Sequence, residues 1–249
     1  MGRLLVAIRL AAMVVWLLSC IPAYFLARPF SHRNPLPRIF LAGICRIVGV
    51  RVTTTGKPGG PRRIMLSNHL SWLDIPVLSA TTGAAFVAHD GLTGSPLLKW
   101  LCDMNDTIYI ARSRRSTVAR QVMQVRNALD ASSILTLFPE GTTGDGATLL
   151  PLKSALLSAI APPPPGVSVQ PVFLEYGGAT RDIAWVGDEP GLDNFFKVLA
   201  RRKGITATVH FLPPLAGDAL SDRKAMAEAT RGTLEHAMAS MLQMCGKSA

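Results

Sequence analysis

The chain has 249 residues, with 26 Lys and Arg against 16 Asp and Glu, a net charge of +10, 49% hydrophobic residues and only 17% charged ones. So apolar a composition excludes a disordered chain, and the scattered Cys20, Cys45, Cys102 and Cys245 exclude a short disulfide framework and paired metal spacing. Basic excess on an apolar body leaves anionic lipid, nucleic acid and phosphorylated or acidic molecules as partner classes, and little aromatic interleaving in the basic runs counts against nucleic acid.

Residues 10–27 carry no charge, and an apolar run at 4–8 extends them across Arg9. Such a stretch is close to the ~20 residues that span a bilayer core. Arg3 and Arg9 precede it, and Arg28, Arg33 and Arg38 follow, so basic residues flank both ends. A retained anchor, spanning or lying in the interface, is preferred to a cleaved leader, because no small-residue cleavage site ends the run. Residues 36–48 form a second apolar helix carrying Arg38 and Arg46, whose alternating charged and apolar faces suggest a helix lying on the membrane surface, with a core helix as the plainer alternative.

After Gly49 short apolar runs alternate with helical stretches. Strands are expected at 50–54, 63–66, 84–88, 107–110, 133–137, 167–174 and 206–212, with a weaker one at 183–186. Helices are expected at 96–102, 117–129, 152–161 and 192–199, and a long one at 222–244 capped by Ser221. The alternation predicts an α/β fold, a mostly parallel (mixed) sheet flanked by helices and preceded by an N-terminal membrane-associated two-helix segment. The chain divides into a membrane-anchoring segment, 1–49, and an α/β domain, 50–249.

Three stretches could carry chemistry. In Ser67-Asn68-His69-Leu70-Ser71-Trp72-Leu73-Asp74, a histidine and a carboxylate stand five residues apart after an apolar strand. On a continuous helix they would point ~140° apart. Pro76 suits a helix start, so the helix begins around 71–73, with His69 just outside and Asp74 in its first turn. The loop can then fold back so that Asp74 holds one imidazole nitrogen, leaving the other as a general base near neutral pH. Taken alone, the pair fits better a surface histidine beside an N-terminal helix charge. The second stretch, Phe138-Pro139-Glu140-Gly141-Thr142-Thr143, follows another strand, with Lys153 beyond it. Its glycine admits a ligand to the backbone, and a solvated turn is the plainer alternative. The third, Tyr109 to Arg115, ends a strand with Arg112, Arg114 and Arg115, enough to hold a phosphate or simply to form a solvated basic loop.

Together these residues resemble the glycerolipid acyltransferase family, whose familiar members act on 1-acyl-sn-glycerol-3-phosphate. The family's Asn-His-x4-Asp motif is matched by Asn68, His69 and Asp74, and its Phe-Pro-Glu-Gly-Thr motif by residues 138–142. Tyr109 and Arg112 match an aromatic-then-arginine motif, and Pro171 a proline in an apolar strand. The segment Trp185-Val186-Gly187-Asp188 resembles a branch that includes enzymes acting on lyso-ornithine and other lysolipids. The resemblance implies a membrane-bound O-acyltransferase with His69 as base oriented by Asp74. It implies acceptor binding by Arg112, Glu140, Gly141, Thr142 and Lys153, supported by Asn68, Tyr109, Pro139 and Pro171. The implied partners are a membrane lysolipid, most directly 1-acyl-sn-glycerol-3-phosphate, and acyl-CoA or acyl carrier protein as donor. No metal, other cofactor or nucleic acid is implied, and the catalytic domain is expected on the cytoplasmic face of the membrane. A Ser-centred hydrolase is disfavoured, since no Gly-x-Ser-x-Gly surrounds any serine.

Overall fold

The computed structural model describes residues 2–30, 34–89, 96–110 and 118–246. Helix α1 (Gly2–Ala27) and helix α2 (Leu36–Val48) open the chain. The α/β body runs β1 (Val50–Gly56), β2 (Arg63–Ser67), α3 (Asp74–Thr82), β3 (Ala85–His89), α4 (Pro96–Met104), β4 (Ile108–Ile110), α5 (Val118–Ser132) and β5 (Ile134–Leu137). A 3-10 helix (Ser154–Ala159), β6 (Ser168–Glu175), α6 (Thr180–Ile183), α7 (Gly191–Ala200), β7 (Ile205–Phe211) and α8 (Arg223–Gly246) complete it.

The strands form one sheet in the order β1-β7-β6-β2-β5-β3-β4. Only the β6–β7 pair is antiparallel. Strand β2 is central, with Leu66 opposite Leu137 of β5 on one side and Pro171 of β6 on the other. Its side chains alternate between two cores, as a strand buried on both faces must. Met65 faces the layer of α2, α3 and α7, whereas Ile64 and Leu66 face that of α5, the 3-10 helix and α8. Pro171 sits just before β7 pairing begins at Val172, so its missing N–H falls at the edge of that ladder.

Helix α1 rests on the body along one stripe, Val6, Leu10, Met13 and Trp16. The Arg9 guanidinium donates to the carbonyls of Leu199 (2.9 Å) and Arg201 (2.8 Å), and the Trp16 indole donates to Phe40 O. Leu4, Ile8, Val14, Val15, Leu18 and Leu26 are left exposed. Helix α2 belongs to the core through Ile44, Cys45 and Val48.

Three expectations need correction. Residues 183–186 do not form a strand. The backbone N–H of Ala184 bonds Thr180 O in a helical turn, and that of Trp185 bonds Leu70 O across the molecule. Residues 152–161 form a 3-10 helix only over 154–159, because the Lys153 N–H is taken by Pro139 O and Pro162 follows closely. The cap of α8 is Asp222, whose Oδ1 accepts from the N–H groups of Lys224 and Ala225, while the Ser221 hydroxyl donates to Asp218 O.

Candidate active site

The loops after β2, β5 and β6 emerge side by side, because those three strands are adjacent and parallel. Ligand sites in open α/β sheets form at such carboxyl ends. Asn68 ties two of these ends together. Its amide nitrogen donates to Leu174 O (2.9 Å), and its amide oxygen accepts from Leu174 N (2.7 Å). His69 follows in a loop, and α3 begins at Asp74 itself, so the chain folds back between them as the proline suggested.

The imidazole Nδ1 lies 2.7 Å from Asp74 Oδ2. Asp74 is fully buried. The same Oδ2 accepts from the backbone N–H groups of Leu70 (2.6 Å) and Ser71 (3.0 Å), and Oδ1 accepts from the Tyr176 hydroxyl (2.6 Å). Three donors besides the ring therefore fix the carboxylate, which can then fix the ring. A carboxylate at Nδ1 keeps the proton there and leaves Nε2 as the acceptor. Tyr176 is also buried, and that burial, then the Asp74 charge, holds its phenol well above the ordinary tyrosine range.

The β5 loop grips the same histidine from the other side. The Phe138 ring stacks on the imidazole at 3.9 Å between centroids. Glu140 is 2% exposed, and its Oε1 accepts from the backbone N–H of His69 (2.8 Å) while Oε2 accepts from that of Leu150 (2.9 Å). Burial pushes the Glu140 carboxyl up, and these two N–H groups pull it partly back. The Gly144 N–H donates to His69 O (2.8 Å), so the histidine is held by its ring, its amide and its carbonyl. Gly141 turns the loop at φ +68°, a conformation that favours glycine.

His69 opens into a cavity of about 420 Å³, bounded also by Ile75, Phe86, Phe138, Thr142 and Trp185. Ile75, Phe86 and Ala88 are shared with a second, apolar cavity of about 180 Å³ between α1, α2 and β3. The cavity at His69, which adds a few polar groups to a largely apolar lining, thus abuts an apolar slot that reaches the two N-terminal helices.

These observations meet known proteins at several levels. A family model described as Acyltransferase matches residues 49–175. The chain belongs to the acyltransferase family. This acyltransferase is 33% identical over 259 aligned residues to a lyso-ornithine lipid O-acyltransferase of Brucella abortus (strain 2308), covering 97% of this chain and 95% of that one. It is 31% identical over 120 residues to a 1-acyl-sn-glycerol-3-phosphate acyltransferase of Neisseria gonorrhoeae, covering 48% and 46%. The crystal structure of the 1-acyl-sn-glycerophosphate acyltransferase of Thermotoga maritima shares its fold, with a TM-score of 0.69, 17% identity and coverage of 96% and 95%.

The acyltransferase brings His69, Asp74, Asn68, Pro139, Glu140, Gly141 and Thr142 to one place. Gly141 and Thr142 line the cavity. Glu140 has both oxygens turned inward to the backbone. Lys153 is exposed and is not among the cavity's lining residues. Tyr109 lies in the edge strand, its hydroxyl on Lys99 O at 3.3 Å. Pro171 supports β6 opposite Leu66. Arg112, Arg114 and Arg115 lie outside the described residues. Ser67 and Ser71 are buried with their hydroxyls on local backbone, not in the cavity.

Sequence reasoning missed Tyr176 as a partner of Asp74 and Phe138 as a stacking plate. Tyr176 directly follows a buried strand, the same position that marked the other candidates, and that signal was available.

Proposed function

We propose that this acyltransferase moves a fatty acyl group from a thioester, acyl-CoA or acyl carrier protein, to the hydroxyl of a lysolipid. The observation that carries the reading is His69, bonded through Nδ1 to buried Asp74 and lining the cavity. His69 Nε2 takes the proton from the acceptor hydroxyl. The oxygen attacks the thioester carbonyl carbon, and the tetrahedral intermediate collapses with breakage of the C–S bond. The departing thiolate recovers the proton from Nε2, which leaves ester, free thiol and neutral imidazole. Asp74 stabilises the transient imidazolium and keeps the ring oriented. A general base contributes ~10²–10⁴-fold, so positioning of the two substrates must supply much of the rest.

For the acceptor, similarity over nearly the whole chain favours lyso-ornithine lipid, and the partial match to 1-acyl-sn-glycerol-3-phosphate acyltransferases makes that lysolipid the second reading. The acceptor's acyl tail fits the apolar cavity that adjoins the site. The exposed apolar stripe of α1 supports seating on a bilayer, with the helix lying along the body. The domain then faces the cytoplasm, where acyl thioesters are available.

The test is release of free thiol from acyl-CoA and from acyl carrier protein, measured on membranes with a panel of lysolipid acceptors of varied tail length. Acceptor-dependent thiol release is expected. Release with every acceptor absent and unchanged on their addition would refute transfer.

A further inference from the structure

The protein as a whole is strongly basic, yet the cavity at His69 is not. Its described lining contains Asp188 and Glu189 and no lysine or arginine. The two carboxylates are in different states. Glu189 Oε1 pairs with Lys197 at 2.8 Å and Oε2 accepts from Asn194 at 2.9 Å, so its charge is compensated within the fold. Asp188 is exposed and has no hydrogen-bond or ion-pair partner among the described residues.

The turn carrying Asp188 is tied to the catalytic loops. The Trp185 N–H bonds Leu70 O, next to His69, and Trp185 O accepts from the Thr143 hydroxyl at 2.5 Å. The Trp185 indole closes the turn onto Glu189 O at 2.6 Å, and Gly187 supplies the φ of +63° that it needs. The backbone turn therefore places on the wall of the cavity at His69 a carboxylate that no described residue compensates. An anionic phosphate close to it would be repelled, and an ammonium would be attracted.

We infer that Asp188 binds an ammonium on the acceptor's headgroup and so determines which lysolipids this enzyme acylates. The inference rests on the acyl-transfer reading and narrows it to acceptors whose headgroup bears a primary amine, as ornithine's side chain does. Asp188 acts on binding, so its removal raises the acceptor KM more than it lowers kcat.

The experiment uses the full chain in vesicles with acyl-CoA and compares three acceptors: lyso-ornithine lipid, the same lipid with its side-chain amine acetylated, and lysophosphatidic acid. For the wild type, acetylation should raise the acceptor KM about tenfold, the size of one charge-assisted hydrogen bond. Asp188→Asn should raise KM for the free amine to that of the acetylated lipid and lose the distinction, while Asp188→Glu should keep it. A wild type that accepts both lipids equally, or an Asp188→Asn variant that still distinguishes them, overturns the inference and leaves acyl transfer standing. A wild type that transfers to none of the three overturns both.

Discussion

The loops after β2 and β5 use one device for two ends. Each contains a buried carboxylate that accepts backbone N–H groups: Asp74 from Leu70 and Ser71, Glu140 from His69 and Leu150. In the first loop the carboxylate has capacity left for a ring nitrogen and a phenol. In the second both oxygens are occupied by backbone, and the residue before the proline contributes only a stacked ring. One loop therefore carries the candidate base and the other immobilises it. Membership of a motif does not tell which, because a carboxylate that holds an amide and one that holds an imidazole read alike in sequence.

Substitutions that treat the two carboxylates alike should separate them. Asp74→Asn removes the charge proposed to stabilise an imidazolium at His69 and presents an amide to four donors. Its kcat should fall by roughly 10²–10⁴-fold, the range of a general base, with acceptor KM little changed. Glu140→Gln should instead act first on stability, because its NH₂ must face one of two buried N–H groups, costing about 1–3 kcal/mol. Its melting temperature should fall, with a smaller loss of turnover in the protein that remains folded. If Glu140→Gln kept its stability and lost all turnover, the contrast between the loops would fail.

A smaller effect is expected at Tyr176→Phe, which keeps the ring and removes one donor to Asp74. A few-fold drop in kcat with unchanged acceptor KM would mark a positioning residue. The same variant reports on pH. The native phenol titrates well above its ordinary value of about 10, so above that pH the unfolded chain loses a proton that the folded one keeps. Native stability is thus lost as pH rises beyond about 10, and the advantage of wild type over Tyr176→Phe should shrink there. Equal alkaline decline in both proteins would remove Tyr176 from this account.

Much of this was legible in the sequence. The period of the apolar runs reveals a strand's faces, so α2, the central strands and the alternating order were open to reading. The spacing of His69, Asp74 and Pro76 even implied the fold-back. Strand order is a different kind of information. Tyr176 reaches Asp74 only because β6 lies beside β2, a pairing between residues about a hundred apart that no local pattern encodes. The inward turn of Glu140 depends likewise on where the His69 amide ends up. The missing strand at 183–186 has the same origin: its apolar residues suit a sheet, but the Trp185 amide finds Leu70 instead.

The proposal that His69 is the base for acyl transfer is open to measurement as thiol release from acyl-CoA on membranes, comparing wild type with His69→Ala at equal amounts of folded protein. Acceptor-dependent release by the wild type is expected, with loss of at least about 10²-fold in the variant for every acceptor tried. Near-normal turnover by His69→Ala would contradict it.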